Sequence, residues 1–443
     1  MKKLLSLVLV MLMLGSCVFA GAQTVPQDRT VLTLWHSMGS RNGDAVKAIV
    51  DAYNASQDVY FVDAQYQGSY DDTIAKIKST PEGMRPDIMQ LNDVATLWMY
   101  NTDYFVPVQN YIDAEGFDVS AYQENILAYY TINGKLSSMP FNCSVPALSY
   151  NVEALAAAGV SPEDLVTLDD VLDAAQKIVE AGVCQYGAVL DNDCWLFEQY
   201  ISMLGADLMN NGNGRDGIPT KLAIDENGAG LKLLEIFRNF MSSEYTTNFG
   251  SGTSGGTAEG KKEFAAGNIP MFISTCGNFR DLLDGADGSF TVAQTSLPKI
   301  NAEDPYSVTI GGASLWILNN GEATQGDGAW DFIKFCSSPE MMAQWTFSTG
   351  YLPVSKDVES LDMYKAYLNE NPGFALIMDE LRESTPDSIG ALTGVSTKFR
   401  LTVENEILML LDDENYTCEE ALESICAQVN EEIELYNLSN NLI

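Results

Sequence analysis

Val31-Leu32-Thr33-Leu34-Trp35 is a short apolar and β-branched run, read as a buried strand, and the residues after it repeat on a different period. From Asp44 to Tyr53 the apolar positions Ala45, Val46, Ile49, Val50 and Tyr53 recur at helical spacing. Val59 to Tyr66 reads as a second strand, Asp72 to Lys78 as a helix, and Asp87-Ile88-Met89-Gln90-Leu91 as a third strand leading into a helix near Asp93 to Tyr100. Strand and helix in strict alternation predict an α/β unit around a parallel sheet. Ligands of such sheets bind beyond the carboxyl ends of the strands.

Further along, Ala147 to Asn151 reads as a strand leaving this first unit, and a mainly helical region follows from Val152 to about Phe240. Its clearest helix is Leu168 to Ala181, with Thr167 as N-cap, Asp169 and Asp170 in the first turn, and Val171, Leu172, Ala175 and Ile178 on one face. Helical pattern returns at Gly228 to Phe240. The Gly/Ser/Thr stretch Gly250 to Gly260 reads as a mobile loop by composition. Gly267 to Thr275 is an expected strand, Ser307 to Ile317 a strand returning to the first unit, Asp327 to Phe335 a helix, and Phe399 to Tyr436 an acidic helical tail. Without its first 22 residues the 443-residue chain keeps 421, more than one core usually serves. We therefore expect two discontinuous lobes, 30–144 with 307–357 and 145–306 with 358–443, joined by several crossings that form a hinge.

The N-terminus carries Met1-Lys2-Lys3 and then the apolar run Leu4 to Leu14, the pattern of a secretory signal over residues 1–22 and too short for a retained membrane span. Leu14-Gly15-Ser16-Cys17 resembles a bacterial lipobox, with Cys17 as the lipid-bearing residue; simple cleavage after Ala20-Gly21-Ala22 is the alternative. Acidic residues number 61 against 24 basic, a formal charge of −37, which disfavours nucleic acid and anionic membrane surfaces. It leaves room for a small anion, since one buried arginine outweighs a diffuse, salt-screened field. Beyond Cys17 stand Cys143, Cys184, Cys194, Cys276, Cys336, Cys418 and Cys426, an odd set with no CxxC spacing, expected to be free thiols with Cys184 to Cys194 as the pair to check.

Gly255-Gly256-Thr257-Ala258-Glu259-Gly260-Lys261-Lys262 approaches a phosphate-binding loop, but Lys262 stands where a hydroxyl is needed to hold magnesium. Asn210 to Gly217 has the look of a calcium loop, yet Arg215 occupies a ligand position and the distal Glu is missing, so a surface turn is expected. His36 is the chain's one histidine, which excludes triads built on another histidine and multi-histidine metal sites. Pairs of carboxylates say nothing for glycosidase chemistry in a chain with so many.

Four weakly charged segments remain: Trp35-His36-Ser37-Met38, Pro140-Phe141-Asn142-Cys143-Ser144-Val145-Pro146, Ile310-Gly311-Gly312-Ala313-Ser314-Leu315-Trp316 and Thr349-Gly350-Tyr351-Leu352-Pro353. Glycines, hydroxyls and rings scattered so widely suggest one composite pocket for a small polar ligand. With Gln67-Gly68-Ser69-Tyr70, these segments carry a resemblance. From Val31 to about Leu435 the chain is similar to the extracellular solute-binding proteins of ABC importers, and within them to the glycerol-3-phosphate-binding subgroup.

The resemblance implies a two-lobed α/β periplasmic-binding-protein fold with an interlobe ligand cleft and hinge, no catalysis and no cofactor. It also implies a small-molecule ligand, a permease of transmembrane subunits with a cytoplasmic ATPase as partner, a monomer, and a place outside the cytoplasm. The ligand-binding residues it implies are Tyr70, Asp93, Ser144, Thr275, Gly312, Tyr351 and Arg400, with Arg400 as the phosphate clamp and Ser274 one residue away as the alternative to Thr275. Asp93 stands where the family has glutamate, and Asn192 where relatives carry a second tryptophan beside Trp195, a change that enlarges the expected pocket toward glycerophosphodiesters such as glycerophosphocholine or toward sugars. An oligosaccharide binder is the alternative reading, and a secreted glycoside hydrolase a more distant one.

Overall fold

The computed structural model describes residue 26 and residues 28–320, 323–384 and 389–443; the expected signal segment and Cys17 lie outside them. Twelve strands are defined among these residues. They are β1 (Thr30–His36), β2 (Tyr60–Tyr66), β3 (Ile88–Asn92), β4 (Phe105–Val106), β5 (Thr131–Ile132), β6 (Lys135–Leu136), β7 (Met139–Ser144), β8 (Pro146–Asn151), β9 (Val189–Leu190), β10 (Met271–Thr275), β11 (Val292–Ser296) and β12 (Gly311–Leu318).

One sheet runs β2-β1-β3-β12-β4, with β7 also paired to β12. A second runs β11-β8-β10-β9, and β5 with β6 forms a small hairpin. The architecture is two-lobed α/β, as the strand and helix alternation leads one to expect. In the first sheet β1 pairs in parallel with both β2 and β3, but β12 lies antiparallel between β3 and β4. The expected parallel unit of β1, β2 and β3 is present, and the returning strand makes the sheet as a whole mixed. The reason is topological: β12 arrives from the other sheet rather than through a βαβ crossover, so nothing obliges it to run parallel.

The first helix spans Ser40–Ser56 and buries Ala45, Val46, Ile49, Val50 and Tyr53, the face expected from the spacing, although it starts four residues earlier than expected. Helix Leu168–Glu180 begins as expected, with a capping box in which Thr167 Oγ1 accepts from the Asp170 amide and the Asp170 carboxylate accepts from the Thr167 amide. The tail is two helices, Ser396–Asp412 and Cys418–Ser439, broken where Asp413 to Tyr416 turn and Thr417 caps the second. Each sheet has an apolar layer of its own. Trp35, Ile77, Met89, Leu91, Met99 and Trp316 pack on one face of the first, and Phe264, Phe272, Phe279, Leu282 and Val292 on the second.

One expectation about loops needs correction and one holds. Only Gly250 to Gly255 of the glycine-rich segment lies outside helix; Gly256–Ala265 is helical. The residues before it are tied down by Glu404, fully buried, whose carboxylate accepts from the Cys194 amide at 3.1 Å, the Thr253 amide at 3.2 Å, Thr253 Oγ1 at 2.7 Å and Ser251 Oγ. Asn211, Gly212 and Asn213 do form a turn, all left-handed, but Arg215 folds inward: its Nε donates to the Gly390 carbonyl at 3.0 Å and its guanidinium lies 5.0 Å from the Tyr129 ring. All seven cysteines from Cys143 onward are free thiols, Cys184 and Cys194 included.

Candidate functional site

The two sheets meet where β7 ends and β8 begins, across the single residue Val145. Its carbonyl accepts from the Cys276 amide at 2.9 Å, so the end of β10 is fastened to the crossing between the sheets. On the other side β7 is paired to β12, with Gly311 opposite Ser144 and Gly312 opposite Cys143. Gly312 sits at φ +110°, a conformation L side chains rarely adopt, and a Cβ there would stand 1.8 Å from the Asn142 carbonyl oxygen. The close approach of β12 to β7 therefore requires glycine. The Thr349-Gly350-Tyr351-Leu352-Pro353 segment docks on the same strand, the Leu352 amide donating to the Cys143 carbonyl at 2.7 Å.

These placements gather most of the expected site on one patch. Tyr70 is the first residue of helix Tyr70–Ser79, held by a capping box between Ser69 and Asp72. Its buried hydroxyl lies beside the Asn142 side chain without a well-formed hydrogen bond, and burial pushes it well above the ordinary tyrosine range. Tyr351 stacks on Trp345 with ring centroids 5.9 Å apart, and burial pushes its hydroxyl up to about 12 against the opposing pull of Asn142. Tyr351 and Thr275 Oγ1 flank Gly277, whose amide donates to Thr275 Oγ1 at 3.2 Å. Ser274 is the more buried of the two candidates and takes a hydrogen bond from Asn278 Nδ2 at 3.3 Å, which leaves Thr275 as the hydroxyl on the Tyr351 side.

A second patch is ionic. Asp93 follows β3 directly, and its Oδ2 lies 3.8 Å from Arg400 Nη2, on helix Ser396–Asp412. Arg400 is taken more closely by Glu198, its Nε and Nη2 donating to the two carboxylate oxygens at 2.8 and 2.9 Å. Burial alone would pull Arg400 down, but Glu198 and then Asp93 hold it well above the usual arginine value. For Asp93, burial dominates; Arg400 lowers it, Glu198 raises it, and the carboxyl settles at about 6. The Tyr129 hydroxyl donates to the Asp93 carbonyl at 3.1 Å and walls this patch on one side.

Sequence reasoning missed Glu198, and placed Asn142 in a pocket segment without a role of its own. Glu198 is the one charged residue of helix Cys194–Met203, Cys-Trp-Leu-Phe-Glu-Gln-Tyr-Ile-Ser-Met, and a lone acid in a helix so largely buried signals a partner. Trp195, from the same helix, reaches across to the first sheet: a Cβ on Gly311 would stand 2.7 Å from its ring, and its indole N–H is buried without a partner. The Asn192 amide is used structurally, donating to the Glu404 carbonyl at 3.1 Å. His36, at the end of β1, is buried and neutral, desolvation lowering it to about 4.

The sequence profile of the bacterial extracellular solute-binding proteins matches residues 48–372. The chain belongs to that family. Among curated proteins it is 28% identical over 408 residues to the sn-glycerol-3-phosphate-binding periplasmic protein UgpB of Escherichia coli strain CFT073, covering 89% of this chain and 90% of that one. UgpB of Pectobacterium atrosepticum is 27% identical over 404 residues, covering 89% of each. Solved structures share the fold at lower identity. The GacH receptor of Streptomyces glaucescens, solved unliganded and with acarbose, superposes with a TM-score of 0.75 at 18% identity over 92% of this chain and 99% of that one. UgpB of Mycobacterium tuberculosis in complex with glycerophosphocholine gives 0.72 at 18% over 93% and 99%. No helix among the described residues is long and apolar enough to cross a membrane, and no group of metal-ligating side chains occurs among them.

Proposed function

We propose that this protein is the extracytoplasmic receptor of an ABC importer, capturing sn-glycerol 3-phosphate or a glycerophosphodiester between its lobes and handing it to a membrane permease with a cytoplasmic ATPase. The lobes are 30–144 with 307–357 and 145–306 with 358–443; the mature chain is exported and tethered through Cys17. What supports the ligand class is Arg400, a guanidinium side chain only 18% exposed, placed where elements of both sheets converge, together with the likeness to the UgpB proteins. A buried guanidinium is the group that phosphate recognition needs most.

Tyr70, Ser144, Gly312, Tyr351 and Thr275 supply hydroxyls and a backbone amide for the ester and glycerol oxygens, and Asp93 accepts from a glycerol hydroxyl. Contact with both lobes makes the ligand bind the closed form better than the open one, and only that difference shifts the equilibrium. Calorimetric titration of ligand-stripped protein with glycerol 3-phosphate, glycerophosphocholine and maltose tests the reading. Binding of a phosphate ester that Arg400→Ala abolishes is the expected result; binding of maltose alone removes Arg400 from ligand recognition and moves the protein to sugar capture.

A further inference from the structure

Arg400 does not stand free for an anion. Both of its donors on one edge are spent on Glu198, and Asp93 lies on the same guanidinium, so the three groups sum to −1. The space beside Asp93, Tyr129 and Glu198 is about 20 Å³, room for roughly one water, and a ligand that takes the Nε and Nη2 edge of Arg400 must part it from Glu198. Glu198 also lines a second, larger cavity of about 470 Å³ that opens outward past Leu208, Thr309 and Ala391. Asp207 and Asp304 border that cavity against Lys232, so it too leans negative.

We propose that Glu198 selects the charge type of the ligand: it favours a zwitterionic glycerophosphodiester with a cationic head group over a dianionic phosphate monoester, because a zwitterion exchanges one ion pair for two. This rests on the phosphate-ester reading above. A monoester dianion seated on Arg400 takes the only cation in contact with Glu198 and Asp93 among the described residues, and sets two further negative charges beside them. Buried carboxylates left in that state are strongly unfavourable. A diester brings one negative charge to Arg400, and its ammonium, a few bonds away, replaces the guanidinium at Glu198. Glu198 then keeps a cation of its own while Arg400 is shared by the diester and Asp93, with the head group extending into the outer cavity.

Three probes separate charge from size: glycerol 3-phosphate, glycerophosphocholine, and glycerophosphoglycerol, a diester whose head group is uncharged. Wild-type protein is expected to bind glycerophosphocholine at least about tenfold more tightly than either of the others. Glu198→Gln, nearly the same shape and still able to accept from Arg400, is expected to bring the three within about threefold, weakening glycerophosphocholine and strengthening glycerol 3-phosphate. Circular dichroism and thermal melting establish that the variant is folded, and Glu198→Asp, which keeps the charge, is expected to retain the order of preference. Phosphate-ester binding with the same selectivity in wild type and Glu198→Gln overturns the role of Glu198 and leaves the function standing. Binding of none of the three by wild type overturns both.

Discussion

Arg400→Ala tests the ionic patch without any ligand. The substitution removes the cation that both Glu198 and Asp93 touch, in a setting where the side chains of Arg400 and Glu198 are 18% exposed and that of Asp93 9%. Breaking a buried ion pair from one side typically costs about 3–5 kcal/mol, and the residual exposure puts this one at the lower end, about 3 kcal/mol at pH 7.5. At a urea m-value of about 3 kcal/mol/M that is a fall of roughly 1 M in the unfolding midpoint. The pH dependence gives the sharper check. Asp93 sits at about 6 in the folded protein against an ordinary 3.8, so its ionisation opposes folding: this penalty grows as pH rises from about 4 through 6 and levels off at about 3 kcal/mol above that. Loss of Arg400, which lowers Asp93, moves the carboxyl higher still and increases the penalty at pH 7.5. At pH 5, where Asp93 is mostly protonated in either protein, the deficit of the variant is expected to shrink by at least about 1 kcal/mol. Urea titrations of both proteins at pH 7.5 and pH 5 measure it. A deficit equal at the two pH values refutes the coupling of Arg400 to Asp93, and no deficit at pH 7.5 refutes the buried ion pair itself.

Gly312→Ala is expected to destabilise the apo protein by about 3 kcal/mol or more, since it adds left-handed strain of about 1–3 kcal/mol to a 1.8 Å clash with a backbone carbonyl, and to weaken ligand binding at least about tenfold by displacing β12 from Ser144; denaturation and titration of the purified variant read both, and an unchanged midpoint contradicts the assigned approach of β12 to β7. Glu404→Ala strands the buried amide of Cys194 and the amide of Thr253 along with two hydroxyls, an expected loss of about 3–5 kcal/mol, and hydrogen exchange should quicken selectively over residues 251–257. Exchange there no faster than in wild type would mean that the glycine-rich segment is held by something other than Glu404.

The parts of the fold legible in the sequence were those that local chemistry decides. The faces of Ser40–Ser56 and Leu168–Glu180 follow from apolar spacing, and the Thr167 cap from its own hydroxyl and the acid three residues on. The antiparallel entry of β12 was not legible, because strand order depends on pairings such as Leu315 with Gln90 across more than two hundred residues of chain. The glycine-rich segment misled for the same reason: its composition favours a loop, and it is ordered by a single carboxylate at Glu404, remote in sequence and one acid among 61. The residues of the candidate site, expected and missed, divide along this line. Gly312 and Tyr351 announce themselves by backbone chemistry and aromatic content, whereas Glu198 has meaning only once Arg400 is beside it.

The distinction between global and local charge decides how an acidic protein handles an anion. A formal −37 spread over the surface is screened beyond about 8 Å at physiological ionic strength and exerts little hold on a ligand enclosed between two sheets. A ligand seated at the proposed site would meet the three-membered sum of Asp93, Glu198 and Arg400, in surroundings where neither carboxylate has a second cation in contact among the described residues. Discrimination in that setting comes less from added attraction than from which ligand leaves a buried charge unpaired. On the proposed reading, placing Glu198 rather than a neutral residue against the guanidinium converts a general anion site into one that asks a ligand to bring its own cation.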